Sequence, residues 1–257
     1  MNQFEIEIID RIKENKKNKP LLDSAKNFFI NSVLSKYSYN FLALDRPVIQ
    51  YPQDMIAMQE IIWKIKPDLI IETGIAHGGS LIMNASMLAL LDISDAIKDG
   101  VSAFNPMKSK RKVLGINIDI KSHNYQKIKD HPMSSRIQMI QGSSVDPLIT
   151  EKVKKIALDY KCILISLDSN HTYEHVLKEL KAYAPLTSVG SYCVVFDTAI
   201  EDLPANSFSG RPWGPGNSPM TAVNEYLKVH TEFEIDKNIQ NKLLITVAPD
   251  GYLKRIR

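Results

Sequence analysis

The sequence predicts an α/β fold, a mostly parallel central sheet with helices on both faces. Three observations carry this. Short apolar runs, among them "DLIIET", "KVLGINID", "CILISLDS" and "SYCVVFDT", alternate with segments of helical periodicity. That order builds a parallel sheet whose faces are both covered. A glycine-rich turn, "ETGIAHGGS", leads from the first run straight into an apolar helix. The runs close on polar residues: Glu72, Asp119, Ser143 with Ser144, Asp168 and Asp197. In open α/β sheets ligands bind beyond these strand ends, and a carboxylate there is costly unless solvated, paired or liganded.

The elements follow in order. Helical spacing at Phe4, Ile6, Ile9 and Ile12, and again at Phe28, Phe29, Val33 and Leu34, with Pro20 between, predicts two short helices. They form an N-terminal helical cap. "RPVIQYPQDM" is proline-bounded and reads as an extended connector. Asp54 is placed to N-cap the helix "MIAMQEIIWKI". The strand 68–73 precedes the turn and the helix 80–92, and residues 93–112 read as a loop. Strands follow at 112–119, within 137–146, at 162–169 and at 191–198. "HTYEHVLKELKAYAPLT" is a helix, "SFSGRPWGPGNSP" a glycine- and proline-rich loop, and "MTAVNEYLKVH" another helix. "KLLITVAPDGYLKRI" is expected to end the chain as an antiparallel hairpin around Asp250 and Gly251. Residues 1–53 are therefore cap and connector, and 54–257 the ligand-binding domain.

Composition narrows the function. The net charge of +3 is small and the basic residues are scattered, apart from "KENKKNK" near the terminus, which reads as a solvated helix end. No nucleic-acid partner and no membrane span are expected. The charged N-terminus does not resemble a signal peptide. The 2 cysteines, Cys162 and Cys193, lie in apolar runs and read as buried thiols of a cytoplasmic protein. A homo-oligomer is expected.

The turn "ETGIAHGGS" lacks the spacing of a dinucleotide fingerprint, and no P-loop lysine follows it. A strand ending in Glu, a glycine turn and an acidic end on the next strand fit a nucleoside with a cationic tail and no pyrophosphate. S-adenosylmethionine answers that description. Glu72 offsets positive charge, Gly74, Gly78 and Gly79 let backbone approach the ligand, and Asp119 accepts from ribose hydroxyls. His77, Ser80, Ser143, Tyr51 and Gln53 are further candidates for lining that pocket.

"RPVIQYPQDMIAMQEIIWKIKPDLIIETGIAHGGSLI", "GINIDIKSHN", "IQGSSVD" and "LDSNHTYEHVLKELKAYAPLTSVGSYCVVFDT" together resemble the cephalosporin hydroxylase family. Despite its name, that family has the Rossmann-like class I methyltransferase fold. It is similar to metal-dependent sugar O-methyltransferases of the macrocin and mycinamicin type. The resemblance implies methyl transfer to a hydroxyl of a sugar, or of a glycosylated or nucleotide-linked small molecule, in surface polysaccharide or natural-product biosynthesis. It implies Mg²⁺ held by an Asp after the fourth strand and a Glu-Asp pair after the fifth, with a histidine base three residues past the first Asp. These positions are Asp168, Phe196 with Asp197, and His171. Phe196 departs from the pattern. Glu201 and Asp202 lie close by in sequence, but read better as an exposed turn. Asp168 and Asp197 can hold the ion with water completing the shell, or there is no metal.

The chemistry is coherent in its own right. A cation favours the alkoxide of a weakly nucleophilic hydroxyl, and an imidazole takes the proton. His175, one helical turn past His171, is a candidate for the substrate side or for a supporting position. In the loop, Trp213 is placed to stack on a sugar face, with Arg211 and Asn217 supplying hydrogen bonds. Two other classes stay open. An oxygenase needs a two-His-one-carboxylate set, which this α/β chain does not offer. A cofactor-binding subunit without catalysis is favoured by Phe196 and opposed by Asp168, His171 and Asp197.

Overall fold

The computed structural model describes residues 1–103 and 105–257. Among the described residues, seven strands form the main sheet. In chain order β3 (Leu69–Thr73), β4 (Lys112–Asn117), β5 (Ile137–Gln141), β6 (Ile163–Leu167) and β7 (Tyr192–Val195) run parallel, while β8 (Phe233–Ile235) and β9 (Tyr252–Arg255) are antiparallel. The spatial order is β5-β4-β3-β6-β7-β9-β8. A separate two-stranded sheet pairs β1 (Phe41–Ala43) with β2 (Arg46–Val48).

Period-two alternation assigns the faces. Ile70, Val113, Leu164 and Val194 pack on one side with α3 (Pro52–Ile65) and α4 (Gly79–Lys98). Leu69, Ile71, Leu114, Ile165 and Val195 pack on the other with α6 (Pro147–Ala157), α7 (Tyr173–Tyr183) and α8 (Pro219–Leu227). Glu72 shares the Ile70 face and so points toward α4. The N-terminal helices are α1 (Gln3–Asn15) and α2 (Lys19–Leu34). Pro20 opens α2, where its missing N–H costs nothing. The remaining helices are α5 (Ser122–Lys129), after β4, and α9 (Lys237–Leu243), between β8 and β9.

Four local expectations are corrected. The antiparallel C-terminal pair exists, but β9 pairs with β8, and the segment before Asp250 is helix α9 and turn. Asp54 is not an N-cap: Tyr51 holds that position and Pro52 begins α3. Asp54 is instead buried, accepting from Thr246 Oγ1, from Val247 N at 3.0 Å and from Tyr252 OH at 2.7 Å. The loop expected from residue 93 begins later, because α4 continues to Lys98, where Asp92 and Asp95 pair with Arg111 and Asp92 also with Arg136. Cys193 is buried, whereas Cys162, just before β6, is only partly so. Helix α4 is long and apolar enough to cross a membrane by length and composition. Here its Leu81, Ile82, Ala85, Leu88 and Leu91 are buried in the core.

Candidate active site

The turn after β3 is shaped by packing against other parts of the chain. Gly74 has φ +91°, and a Cβ there would overlap the Asp168 carbonyl. A Cβ on Gly79 would overlap the carbonyl of Pro47. These glycines thus let β6 and the β2 connector close onto the turn, so close approach is required by chain as well as by any ligand. The buried Arg46 braces the same turn. Its guanidinium donates to the His77 carbonyl, at 3.0 Å from Nε, and to Asn124 Oδ1 at 3.0 Å. Asn124 in turn donates to the Ala76 carbonyl at 3.1 Å. Sequence reasoning missed Arg46; a buried arginine in a connector signals such a clamp only once its partners are known.

Two adjoining hollows open beside the turn and share Val48, Gln50, Ser80 and Asp168. One reaches along Gly74, Ile75, Ala76 and His77. The other runs inward past Glu72, Asn84, Asp54 and Phe196. Glu72 is buried and accepts from Ser80 Oγ and from Asn84 Nδ2 at 2.9 Å. Burial outweighs those bonds and lifts its carboxyl to about 7. His77 is exposed at the rim.

Other expected cofactor contacts lie in varied places. β4 ends at Asn117, whose Oδ1 accepts from Ile75 N at 3.1 Å, and Asp119 is two residues further on, exposed and paired with Lys121. Ser143 follows β5 and is partly exposed. Tyr51 is turned into the core against Phe29 and Tyr37, its hydroxyl 2.7 Å from Ser32 Oγ. Gln53 lies in the first turn of α3, its Oε1 buried and without a partner among the described residues. It is the neighbouring Gln50, which the sequence did not single out, that reaches the cleft, donating from Nε2 to Asp168 Oδ2 at 3.1 Å.

Beyond β6 and β7, Asp168, His171 and Asp197 come together, with one donor atom of each lying within 4.8 Å of the others. His171 Nε2 stands 3.3 Å from Asp197 Oδ2. Burial first, then the carboxylates of Asp197 and Glu72, hold Asp168 well above the usual carboxylate range. Concentrated negative charge with mixed oxygen and nitrogen donors fits a divalent cation. Phe196 is buried and forms an apolar wall. Glu201 does not substitute for the missing acid: it accepts from Gly216 N at 3.0 Å and Ser218 Oγ at 2.6 Å, anchoring the loop.

That loop covers the histidine. Trp213 packs edge-on against His171, and Arg211 lies over the indole at 5.1 Å. Asn217 is already engaged, accepting from Tyr173 N at 2.9 Å and donating to the Pro212 carbonyl at 2.7 Å. These two bonds make it part of the loop's own scaffold. His175 is likewise held inside the protein, with Nε2 3.1 Å from both Ser144 Oγ and Ser169 Oγ, while Ser169 donates to the buried Glu179 at 2.7 Å.

The chain is similar to known proteins in both sequence and fold. Residues 35–256 match the family described as Rhamnosyl O-methyltransferase/CmcI. The rhamnosyl O-methyltransferase of Mycobacterium tuberculosis is 31% identical over 235 residues, covering 90% of this chain and 82% of its own length. That of Mycobacterium leprae is 30% identical over 209 residues, covering 79% and 77%. In fold, a CmcI structure with Mg and SAM superposes with a TM-score of 0.54 at 17% identity over 85% of this chain and 78% of its own. A putative caffeoyl-CoA O-methyltransferase from Staphylococcus aureus gives 0.51 at 13% identity over 79% and 84%. With its class I methyltransferase fold, the chain is an enzyme of the rhamnosyl O-methyltransferase/CmcI family.

Proposed function

We propose that the protein transfers a methyl group from S-adenosylmethionine to a hydroxyl of a sugar, free or carried on a glycan, a nucleotide or a natural product. The observation that carries this is the cluster of Asp168, His171 and Asp197 beside the cleft at the glycine turn. The relatives named as rhamnosyl O-methyltransferases favour a deoxyhexose acceptor. Surface polysaccharide and natural-product biosynthesis both fit that chemistry.

Each residue has a task. Glu72 and Asp168 offset the positive charge of the donor, and Asp119, Ser143 and His77 flank its nucleoside. His171 takes the proton of the acceptor hydroxyl, and Asp197 orients the ring and stabilises the imidazolium that forms. Trp213 screens this proton transfer from water and offers an apolar face to the sugar. Asp168 and Asp197 would hold Mg²⁺, which when bound supplies Lewis acidity toward the hydroxyl. Residues 1–53 act as a cap on the domain 54–257, with Val48 and Gln50 forming the cleft wall. A cytoplasmic site of action suits the free thiols.

The 3.3 Å contact between His171 and Asp197 also supports a second reading, a metal-free base and its orienting carboxylate. Calorimetry with S-adenosylhomocysteine, followed by Mg²⁺ titration of that complex, tests both. Cofactor binding with a Mg²⁺ isotherm abolished in Asp197→Ala supports the first. Cofactor binding without any Mg²⁺ isotherm supports the second.

A further inference from the structure

Gln50 joins the two hollows and touches the carboxylate at the reaction centre. The residue is only 8% exposed. Nε2 donates to Asp168 Oδ2 at 3.1 Å, which leaves Oε1 as the free end of the amide. That oxygen is buried and has no donor among the described residues. A buried amide carbonyl has given up water and gained nothing in return, so a donor is expected when the cleft fills.

The surroundings select the donor. Glu72, Asp54 and Asp168 face the inner hollow, and among the described residues no lysine or arginine lines either one. A cationic hydrogen-bond donor is therefore favoured over a neutral one. S-adenosylmethionine carries two positive groups. The sulfonium has no hydrogen to donate, whereas the α-ammonium has three.

We propose that Gln50 Oε1 receives the α-ammonium of the methyl donor while Nε2 braces Asp168. A single side chain then ties the amino-acid end of the cofactor to the carboxylate beside the base. This assignment rests on the cleft taking S-adenosylmethionine, as proposed above.

The test compares S-adenosylhomocysteine with its deamino analogue, which keeps the nucleoside and the carboxylate and lacks only the ammonium. Dissociation constants are measured by calorimetry for wild type, Gln50→Met and Gln50→Glu. Melting curves of the unliganded variants confirm folding, and Gln50→Ala replaces the methionine variant if that melts early. Wild type should prefer S-adenosylhomocysteine by about 10- to 100-fold, the range of one charge-assisted hydrogen bond. Gln50→Met should lose most of that preference, and Gln50→Glu, which still presents an acceptor, should keep it. An undiminished preference in a folded Gln50→Met would overturn the assignment, as would a wild type that binds both ligands equally. If wild type bound neither ligand, the cofactor reading itself would fall.

Discussion

The Trp213 indole stands edge-on against the His171 imidazole, with ring centroids 4.8 Å apart and planes at 90°. Residues far apart in sequence meet at one point: His171 ends the turn after β6, and Trp213 belongs to the loop that precedes α8. The covering loop is thereby built onto His171, and Glu201 and Asn217 fasten it on either side.

Replacing Trp213 with Ala should raise KM for the acceptor and lower kcat. The affinity for S-adenosylhomocysteine should change by less than about twofold, because the indole lines neither hollow proposed to take the cofactor. Steady-state kinetics with calorimetry on the same variant checks this. A loss confined to cofactor binding would contradict a role over the base.

His171→Ala should slow methyl transfer by about 10²- to 10⁴-fold, the usual contribution of a positioned general base. Single-turnover measurement separates this from product release. His175→Ala should act differently. That ring is spent on Ser144 and Ser169 and stands close to Glu179, so the expected result is a lower Tm with a smaller catalytic effect.

Gly74→Ala should damage the fold as well as the site. The new Cβ meets the Asp168 backbone, and φ +91° is unfavourable for alanine. A stability loss of at least about 2 kcal/mol is expected in denaturant titration. A variant with wild-type stability that had only lost cofactor affinity would show that the glycine serves the ligand alone.

Glu72 gives the unliganded protein a pH dependence. Its folded value is about 7, against an ordinary 4.5, so between these the folded state holds the extra proton. The resulting stabilisation is complete below about 4.5 and is lost as pH rises through about 7, a change of about 3 kcal/mol from this group. Denaturation at pH 5 and pH 8 should show that slope in wild type and a shallower one in Glu72→Gln. The same substitution should weaken S-adenosylmethionine binding. Equal slopes in the two proteins would contradict the assignment.

Much of the fold was readable because strand and helix periods are local. The strand ends Glu72, Asp168 and Asp197 were readable because a carboxylate closing an apolar run stands out. What escaped depends on long-range partners. Asp54 looks like a helix cap in sequence, yet Pro52 starts α3, and three donors from the C-terminal region turn Asp54 into a buried anchor. Gln50 is one polar residue among several in its connector, and only the folded chain brings it to Asp168. The bonds of Asn217 to Tyr173 N and the Pro212 carbonyl, which build the loop, likewise appear only in the folded chain. The hairpin was misplaced because "LLIT" has strand-like composition, while Asp236 caps α9 just before it.

The role proposed for Asp168, His171 and Asp197 is to direct methyl transfer from S-adenosylmethionine to a sugar hydroxyl. The most direct test supplies S-adenosylmethionine labelled in its methyl group to rhamnosylated and other deoxyhexose acceptors, with wild type and His171→Ala compared in one single-turnover assay. The label should appear on a sugar oxygen with wild type and be at least about 100-fold slower to appear with the variant. Label transferred at equal rates by both proteins, or carried to a group other than a sugar hydroxyl, would contradict the account.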